Sequence, residues 1–215
     1  MKIAAIIPAF NEEKTIANVI KAAQDTDYIT EIIVVNDGSS DNTEKIAKNC
    51  GVRVISLKTN QGKSRALEEG VKATDAPILV FIDADLVNLS SEHLEELIKP
   101  LLEEKFDMAV GTIDRSNLGK FFSWLFEKTE SPFAGTRALK RSFWEKIPPK
   151  YKKEYYIESV LTYFAKKYSL RVKPIVLYGT KHIIKEKKYG FWQGTKARAK
   201  MFWQIFLINI ILRIH

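Results

Sequence analysis

The chain has 215 residues, enough for one domain and too few for two comfortable ones. With 46% hydrophobic and 28% charged residues, 10 Gly and 7 Pro, it is not collagen-like, low-complexity or disordered, and its single cysteine, Cys50, excludes an internal disulfide and a Cys-x-x-Cys zinc site, so a reducing, cytoplasmic setting is expected. The net charge of +8 is unevenly spread: residues 140–200 hold 17 Lys and Arg against 4 Asp and Glu, residues 1–139 hold 16 against 22, and a basic second half fits either a phosphate-bearing partner or a solvated lysine-rich surface.

The start, MKIAAIIPAFNEE, has five apolar residues before Pro8 and then turns acidic, which is too short a run for a signal peptide and reads as a first strand. Residues 4–10, 31–37, 52–57 and 78–83 are short, rich in Ile and Val and nearly unbroken, as strands covered on both faces are. Helical stretches alternate with them. Residues 12–24 place Ile16, Val19, Ile20 and Ala23 on one stripe; residues 41–49 open with Asp41 and Glu44 at capping-box spacing and stop before Gly51; residues 61–73 and 92–104 follow, with Pro100 expected to kink or split the last. Strand and helix alternating in this order predict a three-layer α/β/α fold on a mainly parallel sheet.

Beyond residue 105 the alternation loosens. Residues 106–113 read as a strand, Leu118, Phe121, Phe122, Leu125 and Phe126 as an aromatic helical stripe, residues 155–167 as a helix and residues 170–178 as a late strand. With no linker between them, residues 1–105 and 106–185 are expected to form one domain. Residues 186–215 differ: the basic, aromatic run KEKKYGFWQGTKARAK leads into MFWQIFLINIILRI. Fourteen such residues fall short of the roughly 20 that span a bilayer, so an amphipathic helix at a membrane interface is expected, with docking on the protein's own core and truncation of a longer span as alternatives.

In an open α/β sheet, ligands bind beyond the carboxyl ends of the strands. Three such ends carry chemistry: Pro8-Ala9-Phe10-Asn11-Glu12-Glu13, Asn36-Asp37-Gly38-Ser39-Ser40-Asp41 and Asp83-Ala84-Asp85. Asp37 at a strand-to-helix turn can accept hydrogen bonds from a base or ribose. Asp83 and Asp85, two apart on a loop, can both reach one hard divalent cation, although an Asp-x-Asp alone is a weak signal.

The ordered set is far more specific: Pro-Ala-x-Asn-Glu-Glu, Asp37-Gly38-Ser39 26 residues after Asn11, Asn60-Gln61-Gly62-Lys63, and Asp83-Ala84-Asp85 closing an apolar strand. Over residues 1–185 it resembles the family 2 glycosyltransferases, inverting enzymes with the single-domain GT-A nucleotide-sugar fold. The resemblance implies that Pro8, Ala9, Asn11, Glu12, Asp37 and Ser39 contact the nucleoside and that Gly62 and Lys63 flank its pocket. It further implies that Asp83 and Ala84 lie by the ribose and that Asp85, with Asp83, binds Mg²⁺ or Mn²⁺. His182, after a late strand, matches the place of a third metal ligand. Gly135-Thr136-Arg137 resembles the family's Gly-x-Arg segment, so Arg137 or Arg141 is expected on an acceptor phosphate, against the alternative of surface arginines at a helix start. Glu158 is the candidate catalytic base, with Glu154 as runner-up, unless the acceptor is a phosphate that needs none.

The expected function is metal-dependent inverting transfer of a hexose from a UDP- or GDP-sugar to a polyprenyl (dolichyl-type) phosphate. A soluble phosphorylated acceptor such as 3-phosphoglycerate, or a glycan hydroxyl, is the alternative. A nucleic-acid partner is not expected, because acidic strand ends would repel it. The basic, aromatic terminus suggests peripheral association with the cytoplasmic face of a membrane.

Overall fold

A computed structural model describes residues 1–113, 135–152 and 157–182. The expected stripe at 118–126, the base candidate Glu154, the start of the 155–167 helix and the terminal segment 186–215 all lie outside these residues.

Seven strands form the central sheet in the order β3-β2-β1-β4-β7-β6-β8. They are β1 (Ile3–Ala9), β2 (Glu31–Asn36), β3 (Arg53–Ser56), β4 (Ile78–Phe81), β6 (Met108–Ile113), β7 (Arg137–Lys140) and β8 (Val172–Leu177). Neighbours run parallel except where β7 lies antiparallel between β4 and β6. A second, two-stranded ribbon pairs β5 (Leu86–Val87) with β9 (Lys181–His182).

The apolar runs are continuous because each central strand is covered twice. On one face, Ile3, Ala5 and Ile7 of β1 and Val80 of β4 join a core with Ile16, Val19 and Ile20 of α1 (Ile16–Gln24), Ala47 of α2 (Thr43–Asn49) and Leu94, Leu97 and Leu101 of α4 (Ser91–Leu102). On the other, Ile6, Ile33, Leu79 and Phe81 pack with Leu67 and Val71 of α3 (Lys63–Lys72), Phe143 and Trp144 of α5 (Arg141–Lys146) and Val160 and Phe164 of α6 (Ile157–Lys167). Alternate residues of one strand thus serve two helix layers, the three-layer arrangement the sequence predicts.

Several boundaries differ from the sequence reading, each for a local reason. Helix α1 begins four residues late: before it Asn11 takes a left-handed φ of 56°, and the backbone N–H groups of Asn11, Glu12 and Glu13 donate to Ser39 Oγ, Thr43 Oγ1 and Asp41 Oδ2 at 3.0, 2.7 and 3.2 Å. Asp41 and Glu44 form no capping box: Asp41 Oδ1 accepts from the Thr43 N–H at 3.0 Å and Glu44 Oε2 from Asn36 Nδ2 at 3.1 Å. Helix α4 continues through Pro100 to Leu102 without splitting. The proline stands in its last turn, where the ring removes only one late hydrogen bond. The alternative of a helix start at Arg137 does not hold: the segment is strand β7, whose four residues pair with β4 and three of them also with β6. Among the described residues, no helix is long and apolar enough to cross a membrane.

Candidate functional site

The carboxyl ends of β1, β2 and β4 meet as expected, and the loops that follow them are tied to one another. Asn11, in the left-handed region at φ 56°, receives the Ser40 N–H on its side-chain oxygen at 2.8 Å while its own N–H donates to Ser39 Oγ. The Asp37 N–H donates to the carbonyl of Ala9 at 2.8 Å, joining β2 to the end of β1 just past Pro8. Pro8, Ala9, Asn11, Glu12, Asp37 and Ser39 are therefore brought together.

Asp37 is almost fully buried, and its carboxylate accepts the backbone N–H groups of Gln61 at 2.7 Å and Gly62 at 2.8 Å. Burial raises its pKa against the opposing pull of those two donors. Its chemistry here is to fix the turn that opens α3. Two glycines make that turn possible: Gly62 has φ +91°, and Gly38, at φ +71°, lies so close to Thr59 and Asn60 that a Cβ would stand 2.7–2.9 Å from their backbone atoms.

With the turn fixed, Lys63 enters the first turn of α3 and extends over the end of β4. Its Nζ donates to Asp83 Oδ1 and, at 2.6 Å, to Glu158 Oε1 on the first turn of α6. All three are mostly sheltered, with side-chain exposures of 28%, 12% and 18%. Burial would raise the Glu158 carboxyl, but the charge and hydrogen bond of Lys63, with the charge of Arg137, outweigh it and hold the group below the usual range. For Lys63, burial opposes the charge, yet the two carboxylates prevail and raise its pKa. Asp83 is steadied through its N–H, which donates to Thr136 Oγ1 at 3.3 Å. Gly135 lies against this group: a Cβ there would collide with both Asp83 carboxylate oxygens and with Lys63 Nζ.

Register decides the rest. Arg137 pairs with Phe81 at the carboxyl end of β4, so it lies under the site, wholly buried, with Nη1 donating to Thr162 Oγ1 at 3.1 Å. It therefore presents no exposed guanidinium to an acceptor, contrary to the expected phosphate contact. Arg141 follows Lys140, which pairs with Ile78 at the opposite end of β4. Its guanidinium donates to the carbonyls of Ala76 at 2.8 Å, Thr74 at 2.8 Å and Val71 at 3.3 Å. The expectation that Arg141 meets an acceptor phosphate is corrected: it caps the end of α3, away from the site.

Asp85 follows the buried Ala84 and directly precedes β5. Leu86 pairs with His182, so the His182 backbone stands beside the Asp83-Ala84-Asp85 turn; the His182 side chain lies outside the described part. Sequence reasoning missed Thr136 and Thr162. The first is the middle residue of the Gly-x-Arg segment, and the second stands four residues after Glu158, on the same helical face.

Comparison with known proteins fits this geometry. The profile of glycosyl transferase family 2 matches residues 4–176. An uncharacterized protein of Methanocaldococcus jannaschii is 32% identical, over 81% of this chain and 79% of that one. Glucosyl-3-phosphoglycerate synthase of Mycobacterium tuberculosis is 38% identical over 46% of this chain, a match spanning only 34% of the enzyme's length. Its crystal structure with Mg²⁺ and UDP superposes with a TM-score of 0.71 at 27% identity, over 85% of this chain and 71% of that one; a structure of the same enzyme with Mn²⁺, UDP-glucose and phosphoglyceric acid gives the same TM-score. The profile match over most of the chain, on the sheet and loops described above, makes the chain a member of glycosyl transferase family 2, an enzyme of the GT-A fold that transfers glycosyl groups.

Proposed function

We propose that the chain transfers a hexose from a UDP- or GDP-sugar to an acceptor whose attacking phosphate oxygen is already ionised, a polyprenyl phosphate. One observation carries this reading: Glu158 is ion-paired to Lys63 at 2.6 Å, with the buried charge of Arg137 also acting on it, and is held below the usual carboxylate range, which makes it a poor proton acceptor. An inverting transfer to a neutral hydroxyl needs a carboxylate to take the proton. A phosphate acceptor does not, and Glu158 is then left to accept hydrogen bonds from the hexose.

The loops holding Pro8, Ala9, Asn11, Glu12, Asp37 and Ser39 would enclose the nucleoside, and Lys63, with Gly62 before it, would turn its ammonium to the diphosphate. The donor set at the end of β4 fits Mg²⁺ or Mn²⁺. Asp85 and Asp83 offer hard oxygens and His182 a nitrogen, and such ions are commonly held by one or two carboxylates plus substrate phosphates. When bound, the ion would neutralise charge growing on the departing diphosphate. The composition of residues 186–215 supports a place at the cytoplasmic membrane face, where a lipid acceptor would lie.

A second reading, transfer to soluble 3-phosphoglycerate, draws support from the similar structure containing UDP-glucose and phosphoglyceric acid. The deciding experiment offers radiolabelled UDP-glucose or GDP-mannose, with Mn²⁺ or Mg²⁺, to polyprenyl phosphate in detergent and separately to 3-phosphoglycerate. Label entering the organic phase, and lost with Asp85→Ala, is expected. Label retained in water on phosphoglycerate overturns the lipid reading in favour of the second.

A further inference from the structure

Arg137 is the largest wholly buried side chain among the described residues. An arginine cannot shed its proton, so its burial calls for nearby negative charge and hydrogen-bond acceptors. Both come from α6. Nη1 donates to Thr162 Oγ1 at 3.1 Å, and that hydroxyl donates to the Glu158 carbonyl at 2.9 Å, closing a link to the first turn of the helix. The Arg137 charge also acts on the Glu158 carboxylate.

Glu158 thus answers to two cations of different kinds. Lys63 approaches from the cleft on a flexible stem and is shared with Asp83. Arg137 comes from beneath, walled in by β4 and β6, whose Phe81 and Val110 are its register partners. A diphosphate arriving at the carboxyl end of β4 would compete with both carboxylates for Lys63, whereas Arg137 is wholly buried. We propose that Arg137 is a positioning residue for the transfer, one that keeps Glu158 in place and charge-compensated from beneath when Lys63 turns to the anionic donor. The inference rests on the reading that a nucleotide sugar occupies this cleft with Glu158 facing its hexose.

The test titrates UDP and UDP-glucose, each with Mn²⁺, into the wild-type protein, Arg137→Met, Arg137→Lys, Glu158→Gln and the Arg137→Met/Glu158→Gln double variant, so that the sugar's share of binding is read apart from the nucleotide's. Arg137→Met is expected to weaken UDP-glucose by about tenfold to a hundredfold, the value of hydrogen bonds to a charged group, and to leave UDP within about threefold. Arg137→Lys should recover most of the loss, and the double variant should bind like Glu158→Gln. Equal weakening of UDP and UDP-glucose, no recovery with lysine, or a loss that adds to that of Glu158→Gln makes Arg137 a purely structural residue and overturns the inference alone. A wild-type protein that binds neither these nor GDP and GDP-mannose overturns the donor reading and this inference with it. Should Arg137→Met fail to fold, Thr162→Val removes only the hydroxyl link: a smaller loss confined to UDP-glucose supports the inference, and an unchanged UDP-glucose affinity refutes it.

Discussion

Replacing Gly135 by alanine adds one methyl group where the chain passes against the Asp83 carboxylate and Lys63 ammonium. An added Cβ needs about 3.4 Å to its neighbours, so the pair must yield by about 1 Å. Opening a hydrogen bond between charged groups costs about 1.5–3 kcal/mol, and because Lys63 is 28% exposed water takes back part of it, leaving a loss near 1–2 kcal/mol. With a urea slope of about 2 kcal/mol/M, the unfolding midpoint should fall by roughly 0.5–1 M. Activity should fall much further, by about a hundredfold, because a shift of about 1 Å at reacting groups carries that penalty. Gly51→Ala separates the two effects: Gly51 has left-handed φ, +73°, but a Cβ there meets nothing within 4 Å, so the variant should lose about 1 kcal/mol of stability and no activity. Chemical denaturation and glycosyl transfer assays on both variants check the reasoning. Transfer by Gly135→Ala within about threefold of wild type would refute it.

At the opposite end of the sheet, Asp107 accepts from Lys140 Nζ at 2.8 Å and from the Arg171 backbone, Nε and Nη2 at 3.1, 3.1 and 3.0 Å. These bonds, with the Arg171 guanidinium foremost, hold its carboxyl well below the usual range. A depressed folded-state value adds stability above the ordinary carboxylate pKa of about 4 and loses it as pH falls below. Asp107→Asn should therefore lower the melting temperature at neutral pH, with the gap to wild type closing progressively under acid; a gap that widens in acid would contradict the assignment. Arg141→Met frees three carbonyls at the end of α3 and should cost about 2–3 kcal/mol in denaturant unfolding while kcat stays within about twofold at temperatures where the protein is folded. A large loss of kcat with unchanged stability would return Arg141 to the site.

Much of the cluster at the strand ends was legible from the chain alone. Buried parallel strands must be apolar on both faces, so β1, β2 and β4 stand out as unbroken Ile and Val runs, and their carboxyl ends carry the polar turns around Asn11, Asp37 and Asp83. Other parts had no such signal. Four residues, Arg-Ala-Leu-Lys, are too short to show a period, and β7 exists only because β4 and β6 supply an edge on either side.

The pattern of apolar runs and polar turns thus determined the layered fold, the strand ends that bear the polar motifs and the family to which the chain belongs. The tertiary structure decided the chemistry of the second half. Arg137 and Arg141 are one helical turn apart if the segment coils, but as an extended strand they are separated by roughly 13 Å, and pairing against β4 puts one beneath the site and the other at its far end. Lys63 and Glu158 lie 95 residues apart and meet only because α3 and α6 cover the same face of the sheet. Local preference fixes which residues turn, coil or extend, but which charges share a buried space depends on strand order and register, and these arise from the whole core at once.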